Sequence, residues 1–294
     1  MKIDTLSAAV LGATLMLLAP PPAAATPHQC PKDVALTRLV AASDLVLTGI
    51  PQTSANAVTA AAAHRASPEW MSVPIAAPTM LKGPGGAPLT VRIYPENVSY
   101  RPSVATLAAL AGKPSLLFLV RVDQGEPGLY FAGDSPVALQ PASAVAVRAA
   151  SAEIARQESL LRHWKPDPAA PHAREVTELV AQLGVVDGSA QQQIFERLEA
   201  LGPSAIPAIV AQMDVRRPLT LRQISLTNHA ADAFEGTRHY GPELVVDALD
   251  AILNQLAGQG GSLVNGGSER QRDAAVATWR VHVADLACWG KARA

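Results

Sequence analysis

The sequence predicts an α+β fold read in two successive halves. Residues 26–164 form a small β-barrel or rolled sheet with a following helix, and residues 173–294 form an all-α region of helical hairpins. Three observations carry this. Short apolar runs with strand-like patterning recur up to Ala132. From about Ala144 the apolar period lengthens to that of a helix. Between the halves, Lys165 to Pro171 (KPDPAAP) is a proline-rich break, which sets a linker at 165–172.

The elements follow in order. Ser43 to Ile50 (SDLVLTGI) alternates, with Val46, Thr48 and Ile50 on one face. Trp70 to Leu81 carries Val73, Ile75 and Ala77, but Pro74 and Pro78 restrict it to an edge or an irregular strand. Gly83, Pro84, Gly85 and Gly86 form a turn. Leu89 to Tyr94 alternates again, and Ser115 to Val122 (SLLFLVRV) is apolar through its middle, as a buried strand requires. Gly128 to Ala132 follows a turn at Gly125, Glu126 and Pro127. Val147, Ile154 and Leu161, with Trp164 close behind, then line one face of a helix.

In the second half Ser189 is read as the cap of a helix to Leu201, with Ile194, Leu198 and Leu201 on one face. Gly202 ends it and Pro203 opens the next, which carries Ile206, Ile209, Val210 and Met213. Arg216, Arg217 and Pro218 end this pair. Gly241 and Pro242 open a helix through Leu256. The glycine-rich stretch Gly258 to Gly267 connects it to a last helix capped at Ser268 and lined by Val276, Trp279, Val283 and Leu286.

Composition narrows the function classes. The 294 residues are 49% hydrophobic but only 4% aromatic, so Leu, Val and Ile must build the cores. With 24 basic and 25 acidic residues the formal charge is −1, which argues against a nucleic-acid binder and against a polybasic membrane-surface protein. Met1 and Lys2, an apolar run from Ala8 to Ala19, then Pro20 to Pro22 and Ala23 and Ala25 read as a cleavable secretion signal over residues 1–25, with the mature chain starting at Thr26. The run is short for a membrane span, and no later stretch is long and apolar enough for one. The predicted location is therefore periplasmic or secreted. Pro27, His28 and Gln29 before Cys30 do not fit a lipidation site. Cys30 and Cys288 would both reach an oxidising compartment; we expect a disulfide, with two buried thiols as the alternative.

Two resemblances add to this reading. Cys30, the run Ser43 to Gly49, Met80-Leu81-Lys82-Gly83 ahead of a glycine turn, Leu89 to Ile93 and Leu116 to Val120 together resemble the OB-fold domain of the netrin and tissue-inhibitor-of-metalloproteinase superfamily, over about residues 30–163. Leu198 to Ala208 (LEALGPSAIPA) is similar to the helical hairpin of HEAT-like proteins. Leu253 to Arg280, with Asn265-Gly266-Gly267-Ser268 ahead of Trp279-Arg280, resembles a recurring end module of exported proteins. The first resemblance implies metalloprotease inhibition, in which a mature amino-terminal cysteine chelates zinc. A start at Thr26 places four residues before Cys30, and the dense disulfide framework of those inhibitors is missing. Fold likeness alone carries no function.

Catalytic motifs are sparse. Gly133-Asp134-Ser135-Pro136 lacks the Gly-x-Ser-x-Gly elbow of a serine hydrolase and has the composition of a turn. His229, Asp232, Glu235 and His239 are the densest ligand-capable cluster; His229, Asp232 and His239 are the weak metal candidates, and a helix there would put only His229 and Asp232 on one face. His28, His64, His163, His172 and His282 are scattered, with no His-Glu-x-x-His pattern. Gly258 to Gly267 lacks the Walker lysine, so it is read as a connection and not an anion site. Asn97-Val98-Ser99 is a chance glycosylation sequon, and Trp279 and Trp289 are read as core anchors. The sequence names no cofactor and no catalytic residue. It points to an exported, non-enzymatic protein that binds or scaffolds a protein partner at the cell envelope, with an envelope metal-dependent hydrolase and a metalloprotease inhibitor as the alternatives.

Overall fold

In the computed structural model the described residues are 30–63, 71–84, 89–93, 99, 101–121, 129–132, 135–227, 236–258, 264 and 266–289. The expected secretion signal, His229, Asp232 and most of the Gly258 to Gly267 stretch lie outside them.

The first half carries helices that its strand-like patterning hid. Asp33 caps helix α1 (Val34–Ala42) by accepting from the Leu36 amide at 3.1 Å. Helices α2 (Ala55–Ala63) and α3 (Val104–Leu110) are alanine-rich, and alanine has the highest intrinsic helix propensity. Ser54 and Ser103 accept from the Ala57 and Thr106 amides, each at 3.1 Å, which satisfies a donor at each helix start.

All five predicted strands are present: β1 (Leu45–Pro51), β2 (Met71–Lys82), β3 (Thr90–Ile93), β4 (Ser115–Arg121) and β5 (Leu129–Ala132). A sixth, β6 (Leu139–Pro141), joins them in one sheet. β1 lies antiparallel to both β2 and β4; β2 pairs antiparallel with β3, β3 parallel with β5, and β4 antiparallel with β5 and β6. Leu116, Leu117, Phe118 and Leu119 of β4 are fully buried, as its unbroken apolar run requires. Of the two positions expected for the proline-bearing strand, an edge or an irregular strand, the structure shows the irregular one, since β2 runs between β1 and β3. Its pairing with β1 shifts register between Ile50↔Ala76 and Thr48↔Thr79, where Ala77 adopts φ +46°. Pro78, which has no amide to donate, sits in that irregularity. Gly83 ends β2 at φ +85°, and a Cβ there would collide with the Asp44 carbonyl.

Helix α4 (Ala144–Arg162) starts at Ser143, which accepts from the Ala146 amide at 3.1 Å. It buries Ala150 and Ile154 in a core with Val40, Leu47, Val91 and Phe118. In the segment that follows, Asp167 accepts from the Ala169 amide at 2.9 Å, Ala170 is buried and Trp164 packs against the second core.

The second half contains α5 (Ala173–Gln182), α6 (Gly188–Ala200), a 3-10 turn at Pro203–Ala205, α7 (Ile206–Val210), α8 (Val245–Ala257) and α9 (Glu269–Trp289). Two expectations fail here. The region is not all-α: β7 (Ile224–Thr227) and β8 (Thr237–Tyr240) form a two-stranded antiparallel ribbon. Ile224 and Leu226 alternate inward, and glutamines complete the outer edge of β7. The Gln192 side chain donates to the Ser225 carbonyl at 2.9 Å and accepts from its amide at 3.3 Å, and Gln255 donates to the Thr227 carbonyl. The cap of α6 is Asp187, not Ser189: its carboxylate accepts from the Ala190 amide at 2.9 Å. By contrast Ser268 does cap α9, exchanging bonds with Gln271 in both directions.

The second core gathers Leu179, Phe195, Leu198, Ile209, Leu249, Ile252, Val276 and Trp279. It shares no buried residue with the first. Among the described residues no helix is long and apolar enough to cross a membrane.

Candidate functional site: the polar seam along α9

One face of α9 carries Val276, Trp279, Val283 and Leu286 into the second core, as its apolar spacing predicts. Another face is polar at helical spacing (Thr278, His282, Asp285), and it too is covered: His282 and Asp285 are buried. What covers it is α1 and α4 of the first half, so α9 is a shared wall between the two halves.

Polar groups join across this seam along the whole helix. Near its start the Arg270 guanidinium pairs with the Asp44 carboxylate and donates to the Arg121 carbonyl at 3.3 Å. Asp44 also accepts from the Arg121 amide at 2.8 Å, which fixes the carboxylate at the junction of β1 and β4. In the middle, the Thr278 hydroxyl shares its one proton between the Ala274 carbonyl of its own helix at 2.9 Å and the Ala41 carbonyl at the end of α1 at 3.2 Å. On the flank, the Arg280 guanidinium lies 5.8 Å from the ring centroid of Trp164 at the end of the α4 segment and pairs with Asp214 at 2.5 Å.

Toward the far end Arg156 of α4 grips two carboxylates at once. Its guanidinium donates twice to Glu153, at 2.9 and 2.8 Å, and twice to Asp285 of α9, at 2.9 Å each. This is the planar two-pronged geometry that arginine favours. Burial works against the Arg156 charge, but the bonds to Glu153 and Asp285 outweigh it and raise its pKa. Gln157 donates to Glu153 at 2.7 Å and to the Thr37 carbonyl of α1 at 2.9 Å, so α1 is drawn into the same knot. His282 stands edge-on to Trp279, with ring centroids 5.2 Å apart. Burial lowers its pKa to about 4, with the Arg38 charge acting the same way and Asp285 opposing, so the ring is neutral at pH 7.

The seam ends in a covalent bond. Cys30 and Cys288 form a disulfide, with Cα atoms 5.5 Å apart. It ties the segment just before α1 to the last turn of α9.

A second buried ionic group lies inside the second half. Arg272 donates to both carboxylate oxygens of Asp247, at 2.7 and 3.0 Å, and to Glu269 at 2.8 Å. Asp247 in turn accepts from the Glu243 and Leu244 amides at the start of α8. One turn on, buried Asp250 accepts from the Trp279 indole at 2.6 Å and the Val264 amide at 3.0 Å. Burial raises its pKa to about 6 against those two bonds, with Asp247 adding to the rise. Lys82 donates to the Val40 carbonyl at 2.6 Å; burial lowers its pKa, with Asp44 and Glu158 opposing.

Of the metal candidates, only His239 is among the described residues. It lies on β8 with Nδ1 2.9 Å from the Ser225 hydroxyl. His229 and Asp232 fall outside, and no group of three or more metal-ligating side chains occurs among the described residues. Ser135 accepts from the Val137 amide within a turn. A wide depression of about 560 Å³ opens beside Glu158, Leu161 and Arg162 on α4. The two cysteines are the sequence-predicted pair that the structure brings together. Asp44, Glu153, Arg156, Arg270 and Asp285 were missed, and the one signal, for Asp285 alone, was the polar stripe at i, i+4 and i+7 on the last helix.

No protein-family model, curated protein or solved structure matches this chain.

Proposed function

We propose that this chain is an exported, non-enzymatic binding or scaffolding protein of the cell envelope, in which an OB-like barrel and a HEAT-like helical unit are held as one body for a protein partner. The observation that carries the reading is the seam. Two separate cores are fixed to each other by a disulfide and by side-chain bonds along all of α9. Such a joint sets the relative position of two surfaces, which is what a scaffold needs.

The OB-like reading is supported by the strand pairings. β1 pairs with both β2 and β4, β3 runs parallel to β5, and α3 falls between β3 and β4, as in a five-stranded Greek-key barrel. The HEAT-like reading is supported by short helices split at Gly184 and at Gly202-Pro203, where Gly184 takes φ +76° beside the Pro218 carbonyl. Export fits a disulfide, which persists in oxidising compartments.

The test is made on protein recovered from the envelope of a bacterial host. Intact mass should give a chain starting at Thr26 with two hydrogens fewer than the dithiol. Photo-crosslinking from exposed positions on both halves, such as Val145 and Val185, should trap one and the same partner. Stoichiometric zinc together with hydrolysis of an envelope substrate would replace this reading with the metal-dependent hydrolase. Slowed metalloprotease turnover would replace it with the inhibitor.

A further inference from the structure

We propose that the Cys30–Cys288 disulfide is a redox latch on a polar hinge: once it is reduced, the two halves part along the α9 seam about residues 165–172 while each core stays folded. This inference does not rest on the binding role.

Three observations point to it. The two buried cores share no residue, so opening the seam splits neither, and α9 stays with the second half through Val276 and Trp279. The side-chain bonds that bridge the seam are polar (Arg270 with Asp44, Thr278 with Ala41, Arg156 with Asp285), and one buried apolar side chain, Val281, stands among them at the same helical spacing. Water replaces such bonds at far lower cost than it wets an apolar contact of equal area, which is why polar inter-domain contacts open readily. The disulfide, finally, sits at one end of the seam. Arg270 and Cys288 are separated by about 27 Å of helix at 1.5 Å per residue. A covalent closure at that end therefore restrains the seam there, and residues 165–172, which follow Trp164 beside Arg280, are the chain that still joins the halves once it is broken.

The redox step balances with a dithiol as reductant. The dithiol gives two electrons and two protons, the Sγ–Sγ bond breaks, Cys30 and Cys288 become thiols, and the reductant closes to its own disulfide.

The experiment compares the oxidised chain with the same chain kept in excess dithiol, by amide hydrogen exchange and small-angle X-ray scattering. In the reduced chain the amides of α1 and of the last two turns of α9 should exchange at least tenfold faster, and the radius of gyration should rise. Amides of β4 and α8, inside the two cores, should keep their protection. The double variant Cys30→Ser, Cys288→Ser should behave as the reduced wild type does. Unchanged protection of α1 and α9 on reduction overturns the latch. So does loss of protection in β4 and α8 along with them, which would make the bond a simple staple against global unfolding. If the double variant does not fold, the reduced wild type, folded first and reduced afterwards, decides alone.

Discussion

Arg272 pairs with three carboxylates, Asp247, Glu269 and Glu243, inside the second half, and Arg156 holds two, one on each side of the boundary between the halves. Arg272 ties the start of α9 to the start of α8, and its partner Asp247 is fully buried and already accepts two backbone amides. Arg156 is more exposed, at 16% of its side chain against 6% for Arg272, and reaches from α4 to α9. Similar chemistry thus serves two purposes. In both places losing the arginine strands a fully buried carboxylate, Asp247 within one half and Asp285 at the seam. Across the seam the loss also removes a tie between two bodies that each keep a core of their own.

Substitution should separate the two roles. Arg272→Met should cost about 3–5 kcal/mol, the cost of breaking a buried ion pair from one side. Urea unfolding should show the loss in the second half, and a loss below ~1 kcal/mol would remove the distinction drawn here. Arg156→Met should cost about 2 kcal/mol, between the values for exposed and buried pairs. In the reduced chain it should quicken amide exchange in α1 and α9 beyond the reduced wild type and leave β4 unchanged. Replacing the cap Asp187 by alanine should cost ~1 kcal/mol, whereas Ser189→Ala should be near neutral.

The smallest effect concerns pH, because the two halves of the comparison oppose each other. Asp250 titrates near pH 6 when folded, above its ordinary 3.8, so the folded chain binds the extra proton and gains stability as pH falls from about 6 toward 4. His282 titrates near pH 4 when folded, below its ordinary 6.5, so the unfolded chain binds the proton first and stability is lost over the same fall. The two contributions largely cancel. In His282→Gln the loss is gone, so the wild type should become steadily less stable than this variant between pH 6.5 and 4. A constant difference across that range would show that the ring is not buried neutral.

Much of the fold was legible in the sequence. Strands β1, β3 and β4 were readable because alternation or an unbroken apolar run follows directly from one or two buried faces. Helix α4 and the apolar stripe of α9 were readable for the same reason at the longer period. Helices α1 to α3 escaped because they are short and alanine-rich, so little apolar contrast marks their faces. β7 escaped because four residues are too few to show a period, and its outer edge is closed by glutamines 33 and 28 residues away along the chain. The seam was the least legible part. A stripe of Thr278, His282 and Asp285 looks like a solvent-facing side, and nothing local says that its partner Arg156 lies 129 residues earlier. The metal candidates rested on spacing alone, and the described member, His239, bonds a serine on the neighbouring strand.

The disulfide has a consequence for the order of events during synthesis. Cys30 is made 258 residues before Cys288, and α9 is the last of the described elements to emerge. The first core is complete in the chain long before then, yet α1 and α4 present an uncovered polar face until the final helix arrives. A ribosome that stalls within α9 would leave that face open and Cys30 without its partner thiol.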